Sequence, residues 1–208
     1  YLKAKELVRE TSDRDLEARI NNHLGTLYWE NGRTEKSLSC YKEAYRNYEM
    51  EQNKIGMTNT LRNIGKSMHG LEKLDSAYFY LDRAFVFAKN ENLESQMAYI
   101  LSSMGSIYAE KGLYEKALAY QKESLNYSRI QNTKSSCYYA IGESYVNIQK
   151  LDSALLYVDS ALMSKDLYVK CSANWLLYTI CLKKQDYKKA CTYNERYLLL
   201  RDSIEQVY

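Results

Sequence analysis

The sequence predicts an all-α fold, an array of antiparallel helix pairs. Three observations carry that prediction. First, the 208 residues contain no Pro and only eight Gly. Such sparse punctuation favours helices joined by short polar turns. Second, apolar residues recur at helical spacing: Ile100, Met104, Ile107 and Tyr108 share one face at i, i+4, i+7 and i+8. Third, the chain repeats itself, and a fixed period marks a stacked-repeat architecture.

The repeat is read from offsets. At a step of 40, Gly25 falls on Gly65 and Gly65 on Gly105, while Ala4, Ala44, Ala84 and Ser124 form a parallel series. A step of 37 then takes Gly105 to Gly142. The segment Lys73-Leu74-Asp75-Ser76-Ala77 recurs as Lys150-Leu151-Asp152-Ser153-Ala154, and Tyr80, Asp82 and Ala84 recur as Tyr157, Asp159 and Ala161. Each unit holds two helical stretches. In the third, Glu110-Lys111-Gly112 breaks the first stretch, and a second runs from Tyr114 through Ala117, Leu118, Tyr120 and Leu125. Polar segments such as Lys89-Asn90-Glu91-Asn92 and Gln131-Asn132-Thr133 separate the units. The unit is a helix–turn–helix of about 34 residues with a variable linker.

Glycine supplies the packing argument. A Gly inside a helix costs about 1 kcal/mol against Ala. Gly25, Gly65, Gly105 and Gly142 all sit mid-stretch. Close approach of a partner helix offsets that cost. Twelve residues later come Ser37, Ala77, Ala117 and Ala154, and seven further Ala44, Ala84, Ser124 and Ala161. These small side chains let two antiparallel helices pack closely and let the next helix dock behind them. Gly32 and Gly112 read as turns within pairs, Gly70 as lying just before such a turn, and Gly56 as a linker between units.

Composition excludes several functions. Hydrophobic residues make up 46% and charged residues 26% of the chain, a globular balance. Net charge is +3, too small to indicate a nucleic-acid surface. No run of eighteen apolar residues is present to span a membrane. The chain begins at Tyr1, reads as a piece of a longer protein, and shows no basic segment followed by an apolar one that would mark a signal peptide. Five Cys (Cys40, Cys137, Cys171, Cys181, Cys191) make an odd set without a CxxC pair, so they read as small packing residues. His23 and His69 lack metal-ligand neighbours at helical spacing, and no nucleotide-binding, zinc-protease or nucleophile-elbow motif occurs. No catalytic residue, metal site or cofactor is expected.

These spacings resemble the tetratricopeptide repeat (TPR), whose signature is a small residue at slot 8, an aromatic at 11, Ala at 20, an aromatic at 24 and Ala at 27. The first unit matches with Leu24-Gly25, Tyr28, Ser37, Tyr41 and Ala44. The second gives Ile64-Gly65, Met68, Ala77, Leu81 and Ala84; the third gives Met104-Gly105, Tyr108, Ala117 and Ser124; the fourth gives Ile141-Gly142, Tyr145, Ala154, Val158 and Ala161. In the fifth, Leu177-Tyr178, Cys181, Ala190 and Tyr197 match more loosely, with Tyr178 replacing the small residue. The resemblance implies a right-handed α-α superhelix, a TPR-like solenoid over residues 1–208. Its repeats would span 18–51, 58–91, 98–131, 135–168 and 171–208, with 1–12 as the second helix of a truncated repeat. The family's Pro is missing throughout, which implies longer second helices.

A TPR array implies a concave face lined by first-helix slots 2, 5, 9 and 12. Here those slots place Arg19, Asn22, Thr26 and Trp29, then Asn59, Arg62, Lys66 and His69, then Tyr99, Ser102 and Ser106, then Tyr139 and Glu143, then Trp175. The front is basic and amide-rich, the rear aromatic, which suits a peptide with an acidic group and apolar side chains. With Asn22 and Thr26 at slots 5 and 9, the family's carboxylate clamp is absent. Of the 22 Tyr, Tyr99 and Tyr139 are the groove candidates, and most others read as core. The implied function is a protein- or peptide-binding scaffold with no direct nucleic-acid contact; the alternative is a structural or self-associating array. The Tyr-rich, Pro-poor style and the ending Tyr197-Leu198-Leu199-Leu200-Arg201-Asp202-Ser203-Ile204 resemble the TPR sensor regions of bacterial membrane-anchored transcriptional regulators or histidine kinases. That resemblance implies a soluble sensing or docking module on the extracytoplasmic side.

The glycine argument is directly testable. Gly65→Leu is expected to overpack a helix contact and cost about 1–3 kcal/mol in urea denaturation, and a neutral result would remove the assigned contact.

Overall fold

The computed structural model describes residues 13–129 and 131–206. Among these residues the chain forms ten α-helices and no strand. They are α1 (Arg14–Glu30), α2 (Thr34–Met50), α3 (Lys54–Gly70), α4 (Leu74–Asn90), α5 (Glu94–Glu110), α6 (Tyr114–Tyr127), α7 (Gln131–Asn147), α8 (Leu151–Leu162), α9 (Leu167–Lys183) and α10 (Tyr187–Glu205). The segment 1–12, expected as the second helix of a truncated repeat, lies outside the described residues.

The chain divides into two compact units, Tyr1–Ile107 and Tyr108–Tyr208. In the first, α1 packs on α2, α2 on α3 and α3 on α4, and α1 also touches α3. In the second, α6 packs on α7, α7 on α8, α8 on α9 and α9 on α10, with α7 also touching α9.

The period follows from helix and turn lengths. Each of α1 to α5 has 17 residues, and three-residue turns join them, which gives the 40-residue step. The extra residues relative to a 34-residue unit therefore lie in helix, not in variable linkers. α6 is three residues shorter, at 14, which accounts for the step of 37.

The three-residue turns after α1 to α5, α7 and α9 are Schellman closures. The Arg33 N–H donates to the Tyr28 carbonyl (2.8 Å) and the Gly32 N–H to the Trp29 carbonyl (3.0 Å). The same pair of bonds recurs after α2, α3, α4, α5, α7 and α9. The closure needs a left-handed residue at its middle position. Gly32 and Gly112 supply it, with φ +69° and +71°; elsewhere Gln52, Glu72, Asn92, Gln149 and Gln185 hold φ between 53° and 61°. The last turn residue also starts the next helix. Asn53 donates its N–H to the Tyr48 carbonyl (2.9 Å), while its Oδ1 accepts from the Gly56 N–H (2.9 Å).

The helix crossings are built on glycine. A Cβ on Gly25 would lie 2.5 Å from the Tyr41 ring, one on Gly65 2.8 Å from Leu81 Cγ, and one on Gly142 2.5 Å from Val158 Cγ2. The small residues flanking these crossings, Ser37, Ala44, Ala77, Ala84, Ala154 and Ala161, are fully buried. Ser37 Oγ also meets Ser67 Oγ at 3.3 Å, joining α2 to α3. Gly56 departs from its expected linker role. It lies inside α3, buried, with Tyr48 where its Cβ would be, 2.5 Å away. It is the same device turned outward, bringing α3 against α2 of the preceding pair.

The αL turn positions yield a stability test. Gln149→Gly removes a left-handed side-chain penalty and should raise stability by about 0.5–1 kcal/mol by urea denaturation. A loss of stability would mean that the Gln149 side chain contributes more than its backbone strain costs.

Candidate functional site

In the first unit, α1 and α3 lie side by side and present their polar faces to one cavity of about 460 Å³. Asn22, Thr26 and Trp29 line it from α1, and Asn59, Arg62 and Lys66 from α3. These are six of the residues expected from slot position. Arg19 and His69 do not line it. Arg19 is exposed on α1, about two turns before Thr26.

Four further lining residues, His23, Glu30, Tyr41 and Asn63, were not foreseen. Asn63, on α3, donates from Nδ2 to Asn22 Oδ1 (3.2 Å), tying the two helices together. Glu30 closes one end of α1. Tyr41, expected purely as core, packs against Gly25 and sends its hydroxyl to Thr26 Oγ1 (3.1 Å). A tyrosine at a core slot can therefore also reach the cavity, which corrects the restriction of groove tyrosines to Tyr99 and Tyr139.

The electrostatics of this cavity are distinctive. Arg62 pairs with no carboxylate among the described residues. Its guanidinium reaches Asn63 Oδ1 (3.4 Å) and lies 5.8 Å from the Tyr99 ring centre. Burial lowers its pKa, partly opposed by Tyr99 and Tyr41. Lys66 Nζ sits 3.6 Å from the Trp29 ring centre, a close cation–π contact. Burial lowers its pKa, Arg62 lowers it further, and Glu30 opposes both. Burial raises the Tyr41 phenol, so it stays protonated at neutral pH. Two partly desolvated cations, three amides and an aromatic wall thus converge on one space.

The other expected residues occupy separate places. Tyr99 is exposed and extends the site along α5 beneath Arg62. Ser102 and Ser106 are half-buried on α5, and the Ser106 hydroxyl donates to the Ser102 carbonyl (3.2 Å). In the second unit, the Tyr139 hydroxyl donates to Glu143 Oε1 (3.0 Å) one turn on. Burial drives the Tyr139 phenol well above its usual range, and Glu143 adds to the shift. Trp175 is half-exposed on α9, with Tyr178 at 5.2 Å and Tyr197 at 5.1 Å between ring centres. None of the five cysteines forms a disulfide, and burial raises the thiols of Cys171 and Cys181. Among the described residues no cluster of three potential metal ligands occurs, and no helix is long and apolar enough to cross a membrane.

A family model described as tetratricopeptide repeat matches residues 18–49 and 98–130. Among solved structures, BtubC from P. vanneervenii aligns over 98% of this chain and 89% of its own, with TM-score 0.83 and 19% identity. This chain is a TPR-like repeat domain. The apo form of RapI aligns over 97% of the TPR-like chain at TM-score 0.77 and 18% identity. Aspartyl phosphate phosphatase F from Bacillus subtilis aligns over 96% at TM-score 0.79 and 17% identity. The chain spans 59% of RapI and 63% of the phosphatase. At these identities the likeness establishes the α-α solenoid fold. No curated protein sequence matches the chain.

The lowered Lys66 pKa has a stability consequence. Between the depressed folded value and the ordinary lysine value of 10.5, the unfolded chain binds more protons, so rising pH relieves the burial penalty. Stability of the wild type relative to Lys66→Met should therefore rise with pH through that window. Urea melts at a series of alkaline pH values check it, and a flat difference would contradict desolvation of the ammonium.

Proposed function

We propose that the chain is a protein- or peptide-binding scaffold, the sensing or docking module of a larger bacterial signalling protein. One observation carries this reading: the cavity between α1 and α3 holds two partly desolvated cations, Arg62 and Lys66, with no ion pair of their own among the described residues. A desolvated charge without a counter-ion is costly, and an anionic partner group relieves that cost. Asn22, Asn59 and Asn63 offer amides to a peptide backbone, and Trp29 and Tyr99 offer apolar surface beside the charges. The partner is therefore a peptide segment with an acidic group next to apolar side chains. The extracytoplasmic regulator setting draws on the resemblance of residues 197–204 to the close of bacterial sensor arrays.

The alternative is a self-associating array without a peptide ligand. Tyr187, Leu198 and Leu199 are exposed on α10 and favour it. Two measurements separate the readings. Peptides selected by display on the wild-type domain should lose affinity by about tenfold or more on Arg62→Glu with Lys66→Glu. Sedimentation across concentrations should give a monomer. Undiminished peptide binding by the double variant would remove the cavity from the reading, and concentration-dependent association would favour the alternative.

A further inference from the structure

The α1–α3 cavity is rich in donors once its internal hydrogen bonds are followed through. The Arg62 guanidinium donates to Asn63 Oδ1 (3.4 Å), and Asn63 Nδ2 donates to Asn22 Oδ1 (3.2 Å). Both amide oxygens are thereby spent. The Thr26 hydroxyl donates to the Asn22 carbonyl (3.2 Å), so its oxygen accepts from the Tyr41 hydroxyl (3.1 Å), and that proton is spent as well. What stays unspent among the described residues is N–H: most of the Arg62 fork, the Lys66 ammonium, and Nδ2 of Asn22 and of Asn59.

Two like charges share this space. Arg62 is half-buried, and its charge reaches the Lys66 ammonium on the Trp29 ring. Water can fill vacant donor positions, but it does not neutralise two cations held together. A carboxylate brings one negative charge and about four acceptor sites. A phosphate monoester brings a charge of about −1.5 to −2 at neutral pH on three strongly accepting oxygens. It answers both cations at once and leaves oxygens for the amides. Glu30 also lines the cavity and repels an anion. Two cations against one carboxylate still leave a net attraction, which acts more strongly on a dianion than on a monoanion.

We infer that the acidic group this cavity takes is a phosphate monoester, held by Arg62 and Lys66 with the Asn22 and Asn59 amides as neutral donors. This rests on the peptide-binding reading of the cavity and names its anion. A phosphorylated side chain in a peptide and a free phosphate ester present the same group, and Trp29 stands beside it for an apolar or aromatic substituent.

The test is calorimetric titration of the domain with phenyl phosphate and with phenyl sulfate, which has the same shape and only one negative charge. Near neutral pH, phenyl phosphate should bind about tenfold more tightly than phenyl sulfate. Near pH 5, below the second phosphate pKa of about 6, the preference should shrink to about twofold. Phenyl sulfate takes up no proton over this range. It therefore carries the effect of the cavity's own groups, His23, Glu30, Tyr41, Arg62 and Lys66, and the ratio of the two ligands isolates the phosphate proton. Arg62→Gln should cut phenyl phosphate affinity about tenfold. Glu30→Gln should raise it about threefold, and more than it raises phenyl sulfate affinity. A capped Ala-phosphotyrosine-Ala peptide separates the sources: binding about tenfold tighter than phenyl phosphate assigns the ester to a peptide, and equal binding assigns it to a free ester. Equal affinity for phosphate and sulfate near neutral pH, an undiminished preference near pH 5, or no binding of millimolar phenyl phosphate overturns the inference. If display-selected peptides still depend on Arg62 and Lys66, only the phosphate falls; if they do not, the peptide-binding reading falls with it.

Discussion

The close approach of helices at glycine is the constraint on which the rest of the structure depends. Gly25, Gly65 and Gly142 stand at the twelfth position of their helices, and each takes the side chain at the eighth position of the next helix onto its bare Cα: Tyr41, Leu81 and Val158. A helical Gly costs about 1 kcal/mol, whereas burying a Leu or Val side chain contributes about 1.5–3 kcal/mol. The crossing is therefore net favourable only while the large partner stays buried, as Leu81 and Val158 are. It also fixes rotation about the helix axis. With Gly25 and Gly65 turned toward α2 and α4, Asn22, Thr26, Arg62 and Lys66 lie to one side of those crossings and meet in one cavity.

The turns set the spacing with equal strictness. A Schellman closure whose final residue opens the next helix leaves no slack, so helix length alone determines the period. The step of 37 appears where α6 is three residues short and ends at Ser128 in extended backbone instead. This part of the fold was only half legible in the sequence. Gly32 and Gly112 announce left-handed turns, but Gln52, Glu72, Gln149 and Gln185 adopt the same conformation without a residue type that signals it. Hydrogen bonds to the preceding helix hold them there, and those bonds are set by the packing of both helices. Gly56 was misleading for the converse reason: its polar neighbourhood reads as linker, yet Tyr48 packs on it as Tyr41 packs on Gly25.

The α1–α3 cavity was legible to the extent that it follows helical phase. Asn22, Thr26 and Trp29, one turn apart on α1, and Asn59, Arg62 and Lys66 on α3 share a face, because a straight helix cannot rotate them away. Asn63 and Glu30 sit one position round from the expected slots and enter because two neighbouring helices bound the cavity from its sides as well as its floor. Tyr41 enters because its ring is long enough to fill the glycine crossing and still place its hydroxyl beyond it. Neither effect has a signature in spacing alone.

One repeated frame carries different chemistry along the chain. In the first unit the frame is intact, and the site arises from side chains added to its free face: Lys66 on Trp29 and Arg62 over Tyr99 gain ring contacts but lose water. Polar groups retained against a desolvation cost are a usual mark of a binding surface. In the second unit the frame itself varies, with Tyr178 at the glycine position of α9. Cys181 stands where Tyr108 and Tyr145 complete a stack, and its thiol, held neutral by burial, contributes neither charge nor a ring. The turn is the shared one, the Asp186 N–H donating to the Cys181 carbonyl (2.9 Å), and Ile180 and Ala190 are buried in the α9–α10 pair. A shared turn geometry thus accommodates different residues at the crossing of each pair.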